Sequence, residues 1–564
     1  MMKYFQSQNH LTDPVEIAIT KYENHPSIKE IQKRVNVISE FSFEKVDLSQ
    51  IKKEIRALNA KKSASKSSLP TNQVKDSIDI ISKPLMDIWN CEVVDGSIFP
   101  TLLKLADIVP VHKKLTKAYK KNYRPVSILP IVSKIFERLM HQQINSFVSN
   151  LLSKFLCGYR KNYNSQYALL FMIEKWKAML DKGGFAGAVL MDLSKAFDTI
   201  NHELLIAKLR AYGFSFKALK LVLHYLCDRH QRVKINLSFS SWVELLLGVP
   251  QGSVLGPLLF NIYLNDLFYI LKDVCNFADD TSPFACDVEL TEVLEKLEID
   301  SAEVLKWFEL NFMKLNADKC HLLLCGNKGT IKSVKVGSET ILQSEEEKLL
   351  GVLIDSDLKF GKHLKALCKK VGIKITLLCK VAGFLEFMQK KLLFQIFIES
   401  QFSYCPLVWM FCSRKMNRRI NALHERALRI VYNDYASSFD ELLKIDKSLT
   451  IHQKNIHKVA IEMFKVKNGT CPEFIKDIFE KYEGPSTRLD RNYYWPNANK
   501  VFKGEMSFRI FGPIVWDEML PNAYKNYGSV EEFKNGIKDW VPDNCRCRLC
   551  KEYEPGVGFV STFE

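Results

Sequence analysis

Several things are missing from this 564-residue chain, and each absence removes a class of protein. No run of about 18 uncharged apolar residues occurs, which argues against a membrane span. The N-terminal Met1-Met2-Lys3-Tyr4-Phe5-Gln6-Ser7-Gln8 has no apolar stretch of the kind an export signal needs. The 15 cysteines are odd in number and scattered, too sparse for a disulfide framework, so reduced intracellular thiols fit better. No internal repeat and no long low-complexity tract is found, so a solenoid is not expected.

What is present is enough apolar residue, 47%, to build real cores, in a chain long enough for two to four units. The formal net charge is +16 and the pI about 9.0, which favours a polyanionic partner, nucleic acid first. A soluble protein that is merely basic fits the same numbers.

Residues 1–47 are polar and irregular. Asp47-Leu48-Ser49-Gln50 resembles a capping box, with Ile51, Ile55 and Leu58 following at helical spacing. The stretch from Lys61 to Ser68 reads as a flexible basic linker, either a solvated loop or a nucleic-acid contact. Between about 100 and 355, short apolar strands alternate with longer helical patterns, which predicts an α/β or α+β core. From about 360 onward the chain reads as helical and basic. Ile420, Leu423, Ala427 and Ile430 mark one apolar face, with Arg418, Arg419, Arg426 and Arg429 off it. Such arginines are either a solvated face or a hold on a phosphate backbone.

Three acidic positions carry the chemistry. Ala188 to Met191 is a continuous apolar run that predicts a buried strand, and Asp192 closes it, with Asp198 in the turn or helix beyond. In Val274–Ala285, two short apolar segments flank Asp279-Asp280, which predicts a β-hairpin with two carboxylates at its turn. An acidic turn facing water is ordinary, since Asp favours turns, so this pair alone decides nothing. Together the three suit phosphodiester synthesis. Two divalent ions roughly 3.5–4 Å apart stabilise the attacking and leaving oxygens of an in-line displacement. Hard Mg²⁺ takes oxygen ligands, one or two of them carboxylates.

The segment Leu190-Met191-Asp192-Leu193-Ser194-Lys195-Ala196-Phe197-Asp198-Thr199-Ile200 resembles polymerase motif A of the non-LTR retrotransposon reverse transcriptases. Gly248-Val249-Pro250-Gln251-Gly252-Ser253-Val254-Leu255-Gly256-Pro257 resembles motif B, and Phe277-Ala278-Asp279-Asp280 motif C, with Phe where Tyr is usual. Asn122–Pro130 and Gly158-Tyr159-Arg160 resemble two fingers motifs, Leu315–Lys319 motif D and Leu349–Asp355 the primer grip. Seven blocks stand in the family's order from about 100 to 360, and the resemblance is to jockey-like elements.

That resemblance implies an α+β right-hand polymerase with fingers, a palm of antiparallel sheet and helices, and a thumb, followed by a mainly helical C-terminal region. The boundaries expected are 1–95 for a partly helical N-terminal extension, 96–356 for fingers and palm, 357–475 for a basic thumb-like region and 476–564 for the rest. The implied activity is RNA-directed DNA polymerisation from a primer 3′ end. Asp192, Asp279 and Asp280, with the Leu193 carbonyl, would hold two Mg²⁺ ions, or Mn²⁺ in their place. Lys319 would protonate the leaving pyrophosphate. Arg124 and Lys113, assisted by Lys114, would clamp the triphosphate; Arg160 is a further candidate. Gln251 and Gly252 would form the floor beside the incoming nucleotide, glycine allowing close backbone approach. Phe197, five residues after Asp192, falls at the family's sugar-gate position, where a flat ring would clash with a 2′-hydroxyl; a core-packing aromatic is the other reading. The helix after Ser253, carrying Leu255, Leu258, Leu259 and Ile262, reads as a core helix.

The partners implied are an RNA template, a DNA primer or target, and deoxynucleoside triphosphates, in the nucleus and cytoplasm, with no membrane. The first motif-like block begins near residue 109, leaving no room for the endonuclease that precedes the polymerase in full-length elements. The Gly-Asp usual before the fingers' Ile-Pro is replaced by Ser65–Pro70. A catalytically silent nucleic-acid-binding relic is the alternative from another class. An RNA-dependent RNA polymerase shares the two-metal palm, but Phe197 near the sugar argues against it. Zinc is not expected at Cys545-Arg546-Cys547-Arg548-Leu549-Cys550: three thiols are one ligand short, and no His or Cys follows.

Overall fold

The computed structural model describes residues 13–59, 69–113, 116–193, 196–316, 319–327, 329–479, 493, 507–543 and, beyond those, 545, 547, 549, 553–554 and 558–559. The basic stretch 61–68, Lys114, Asp318 and Cys550 lie outside the described residues. The fold is mixed α+β. The strands that matter are β1 (Leu105–His112), β2 (Tyr123–Ile128), β3 (Phe185–Leu190), β4 (Arg229–Ile235), β5 (Ser238–Phe239), β6 (Val243–Leu245), β7 (Val274–Phe277), β8 (Asp280–Asp287), β9 (His321–Cys325), β10 (Ser333–Val336), β11 (Glu339–Ser344), β12 (Glu346–Leu349) and β13 (Val352–Asp355). Contacts divide the chain into two interleaved units, one made of residues 1–159, 193–272 and 303–316, the other of 160–192, 273–302 and 317–564.

The first unit holds a five-stranded sheet in which β1 lies between β2, antiparallel, and β4, parallel, with β5 and β6 on β4. The same unit also carries helices. Helix Leu48–Arg56 starts as its sequence predicts: the Asp47 carboxylate accepts from the Gln50 amide at 2.8 Å, and the Gln50 side chain accepts from the Asp47 amide at 2.9 Å. Ile51, Ile55 and Leu58 are buried. Helix Gly256–Leu264 is apolar on nearly every side and buried almost throughout. Sequence spacing does not reveal a buried ion pair here: Lys208 donates to Asp266 at 2.6 Å and to the Tyr263 carbonyl at 2.7 Å, while the Trp307 indole takes the other Asp266 oxygen at 2.6 Å. Every polar atom of the pair thus has a partner, which a buried charge requires.

The second unit holds a six-stranded sheet in the order β10-β11-β9-β3-β8-β7. Strand β3 runs antiparallel to both neighbours. Its small residues permit this crowding: a Cβ on Gly187 would meet the Leu324 side chain at 2.5 Å. Helix Ser165–Asp181 packs on β3, β7 and β8. Beyond the β12–β13 hairpin come helices Gly361–Val381, Arg414–Tyr432 and Ile451–Lys467. On Arg414–Tyr432 the expected face is buried at Ile420, Ala427 and Ile430, and half-buried at Leu423. Arg418, Arg419 and Arg426 are exposed, whereas Arg429 is tied to Glu425 at 2.6 Å. Among the described residues no helix is long and apolar enough to cross a membrane, and every cysteine is a free thiol.

Candidate active site

The acidic residues of the second unit gather at one end of its large sheet. Strand β3 is buried along its length, as its unbroken apolar run predicts, and Met191 extends it. Ala188 pairs with Phe284, and farther along the Met191 amide donates to the Thr281 carbonyl at 3.2 Å. One more step in this register sets Asp192 level with Asp280. Residues level on antiparallel strands share a face, with Cβ atoms roughly 4.5–5.5 Å apart. Asp279 immediately precedes, in the β7–β8 turn, and all three acids are half-buried.

That turn is held by a residue the motif reading passed over. Asn276 is 1% exposed, and its amide nitrogen donates to the carbonyls of Ala278 at 3.1 Å and Asp280 at 3.2 Å, and to the Thr281 hydroxyl at 3.1 Å. Ala278 sits at φ 58°, a left-handed conformation that costs a residue with a Cβ about 1–2 kcal/mol. The buried amide clamps the tight bend that carries Asp279.

Lys319 donates to Asp192 Oδ2, so two residues singled out for different roles meet directly. The Cys320 thiol hydrogen-bonds the Asp192 backbone, and burial pushes it up to about 11, which keeps it neutral beside the carboxylate.

The nucleotide-binding candidates fall in the first unit, where the motif A and motif B segments are stapled together. The Val249 amide donates to the Phe197 carbonyl at 2.9 Å and the Gly248 amide to the Ile200 carbonyl at 2.8 Å. The Gln251 side chain donates to Asp198 at 2.9 Å, and His202 Nε2 lies 2.7 Å from the Gly248 carbonyl. Gly248, at φ 79°, has no room for a side chain: a Cβ would lie 2.5 Å from the Phe197 carbonyl oxygen. Gly252 has φ 117° and packs a would-be Cβ 2.8 Å from the Ser127 carbonyl. In this structure, then, the close approach at Gly252 is to β2 backbone. The Phe197 ring, half-buried, stacks on Phe260 at 4.6 Å and meets Tyr159 edge-on at 5.8 Å. Arg124 is exposed on β2 opposite Val111; Lys113 is exposed just past β1, its amide bonded to the Asn122 carbonyl at 2.8 Å. Leu193 pairs with Leu315 in the same unit. The Leu349–Asp355 segment of the second unit is the β12–β13 hairpin, turning at Leu350 and Gly351, with the Tyr404 hydroxyl donating to the Leu350 carbonyl at 2.5 Å.

The donor set fits hard divalent cations: carboxylates from two adjacent strands, half-open to solvent, at a sheet end. A sheet that delivers acids in this way, preceded and followed by the ordered motifs, resembles the core of a nucleotidyl-transfer polymerase. Residues 111–354 match the family described as "Reverse transcriptase (RNA-dependent DNA polymerase)". That segment is thus similar to a reverse transcriptase domain, and the relatives it resembles are named for mobile elements. It is 27% identical over 352 residues to the "Probable RNA-directed DNA polymerase from transposon BS" of Drosophila melanogaster, covering 59% of this chain and 39% of that protein. To the "RNA-directed DNA polymerase from mobile element jockey" it is 27% identical in Drosophila melanogaster, covering 57% of this chain and 36% of that protein. In Drosophila funebris the jockey protein is 26% identical over 404 residues, covering 68% of this chain and 43% of that protein. The chain therefore spans less than half the length of these relatives.

Proposed function

We propose that this chain extends a DNA primer on an RNA template by two-metal nucleotidyl transfer. The observation that carries the reading is the register of β3 against β8, which sets Asp192 level with Asp280 and next to the turn bearing Asp279. Asp192, Asp279 and Asp280, with the Leu193 carbonyl, would hold two Mg²⁺ ions. When bound, such ions neutralise charge on the attacking 3′-oxygen, the phosphate and the leaving pyrophosphate.

The chain's own residues do the rest. Asn276 keeps the Asp279 turn in one conformation, so the carboxylates need no reorganisation as charge develops. Lys319, on Asp192, brings an ammonium to the carboxylates as a proton donor for pyrophosphate. Arg124 and Lys113 would hold the triphosphate, Arg124 as a guanidinium fork. Gln251 and Gly252 would support the base pair, and Phe197 would stand under the sugar and exclude a 2′-hydroxyl. The fingers, palm and thumb division at 96–356 and 357–475 belongs to the same reading.

The decisive experiment is Mg²⁺-dependent extension of a DNA primer on a homopolymer RNA by the purified chain. Asp192→Ala and Asp279→Ala should each abolish product while leaving binding to an RNA–DNA hybrid intact. Extension at the parental rate by either variant overturns the site. Hybrid binding by the parent with no extension at all overturns the activity.

A further inference from the structure

The sequence places Cys545, Cys547 and Cys550 together but offers no fourth ligand nearby. The fold supplies one from far upstream. His452 is the second residue of helix Ile451–Lys467, whose first turn is fixed by a Thr450–Gln453 capping box. Its Nε2 lies 3.2 Å from Cys547 Sγ and 4.0 Å from Cys545 Sγ, and the three donor atoms all lie within 4.8 Å of one another. His452 and Cys545 are buried, Cys547 half-buried.

These separations are close to those of donors that share a cation. Donors about 2.0–2.3 Å from a tetrahedral zinc stand roughly 3.3–3.8 Å apart. A thiol hydrogen bond accounts for the contact less well. A neutral imidazole nitrogen has one lone pair and accepts one S–H, whereas here two sulfurs converge on the same Nε2. A second contact holds the segment in place: the Trp540 ring stacks on His457 at 5.3 Å and 4°, and His457 Nε2 lies 2.6 Å from the Trp540 carbonyl. The chain thus runs back along the helix, Trp540 at His457 and the cysteines at His452.

We propose that His452, Cys545 and Cys547 bind one zinc ion. Soft thiolates with one imidazole select zinc over the hard Mg²⁺ that carboxylates take. Such an ion joins two segments 93 residues apart. The expectation of no zinc looks for a further ligand only downstream of Cys550, whereas His452 lies upstream.

The test uses the full chain, expressed and purified with zinc present and without chelator. Elemental analysis should give about one zinc per chain. Cobalt substitution should give the intense visible bands of a tetrahedral, thiolate-rich site. His452→Ala and Cys547→Ser should each weaken zinc binding by more than the roughly 10–100-fold that loss of a ligand's supporting partner causes. The exposed Cys379→Ser should leave zinc content unchanged. His452→Cys should retain the metal and shift the cobalt spectrum toward more sulfur ligation, which separates ligand loss from misfolding. Chelation should expose the C-terminal segment to protease. A folded parent chain with no zinc or with iron instead, or zinc content equal to the parent's in the Cys547→Ser and His452→Ala variants, overturns the proposal.

Discussion

Lys319 and Asp192 are joined by an ion pair at the end of the second unit's sheet. The ammonium neutralises the carboxylate assigned to the metal ions, and both groups are partly open to solvent, so the contact can be exchanged. If Lys319 donates the proton that pyrophosphate needs, Lys319→Ala should slow single-nucleotide addition by about 10²-fold or more, the usual scale for a lost general acid. Rapid-quench kinetics on a primer–template measure this. An unchanged rate would leave Lys319 as a tether for Asp192 only.

Asn276 offers a test of positioning separate from metal ligation. Asn276→Ala removes three hydrogen bonds that hold the Ala278–Asp279 turn. A misplacement of about 1 Å can cost roughly 10²-fold in rate. We expect kcat for primer extension to fall on that scale with nucleotide KM little changed. Asn276→Asp, which keeps the size but loses the NH₂ donors, should be nearly as slow. A parental kcat in both variants would show that the turn holds itself.

Phe197 should report on the sugar. Phe197→Ala removes the ring stacked on Phe260 and, if that ring stands under the sugar as proposed, opens the space that a 2′-hydroxyl needs. The ratio of ribonucleotide to deoxynucleotide incorporation should rise by at least about tenfold, the effect of roughly 1.4 kcal/mol of lost steric discrimination. Some stability should be lost as well, because a half-buried aromatic is truncated. Unchanged sugar selectivity together with lowered stability would make Phe197 a core residue and nothing more.

His424 should make the protein acid-sensitive. Its ring stacks on Phe394 at 5.8 Å, and neither ring nitrogen has a hydrogen-bond partner among the described residues. Burial, with nearby Lys454, pushes its pKa down to about 3, from 6.5. Between those values the unfolded chain binds a proton that the folded chain refuses, so stability falls as pH drops below 6.5. The slope from this one group is about 1.4 kcal/mol per pH unit. His424→Leu should flatten that part of the curve, seen in urea unfolding at pH 7, 6 and 5. An identical acid slope in the variant would assign the effect elsewhere.

Local patterns were legible wherever the cause was local. The Asp47–Gln50 box, the buried run ending at Met191, the Asp279-Asp280 turn and the helix after Ser253 each follow from spacing and turn chemistry within a dozen residues. What sequence could not show depends on pairings between distant segments. The register that sets Asp192 level with Asp280 is fixed by β3 meeting β8, about 90 residues later in the chain. Asn276 gives no signal apart from its neighbours, because its value lies in where its amide points. Gly252 was read as making room for a ligand, and its nearest constraint is Ser127. His452 shares no motif with the cysteines it meets. On helix Arg414–Tyr432 the apolar spacing found the buried face but gave no hint that Asn421 and His424 share it.

The hydrogen bonds from Val249 to Phe197 and from Gln251 to Asp198 make one mechanical piece of two segments about 50 residues apart. If Phe197 stands under the sugar and Gln251 beside the base pair, as proposed, an ill-fitting sugar that pushes on the one tugs on the other, and choice of sugar and copying fidelity become a single coupled trait.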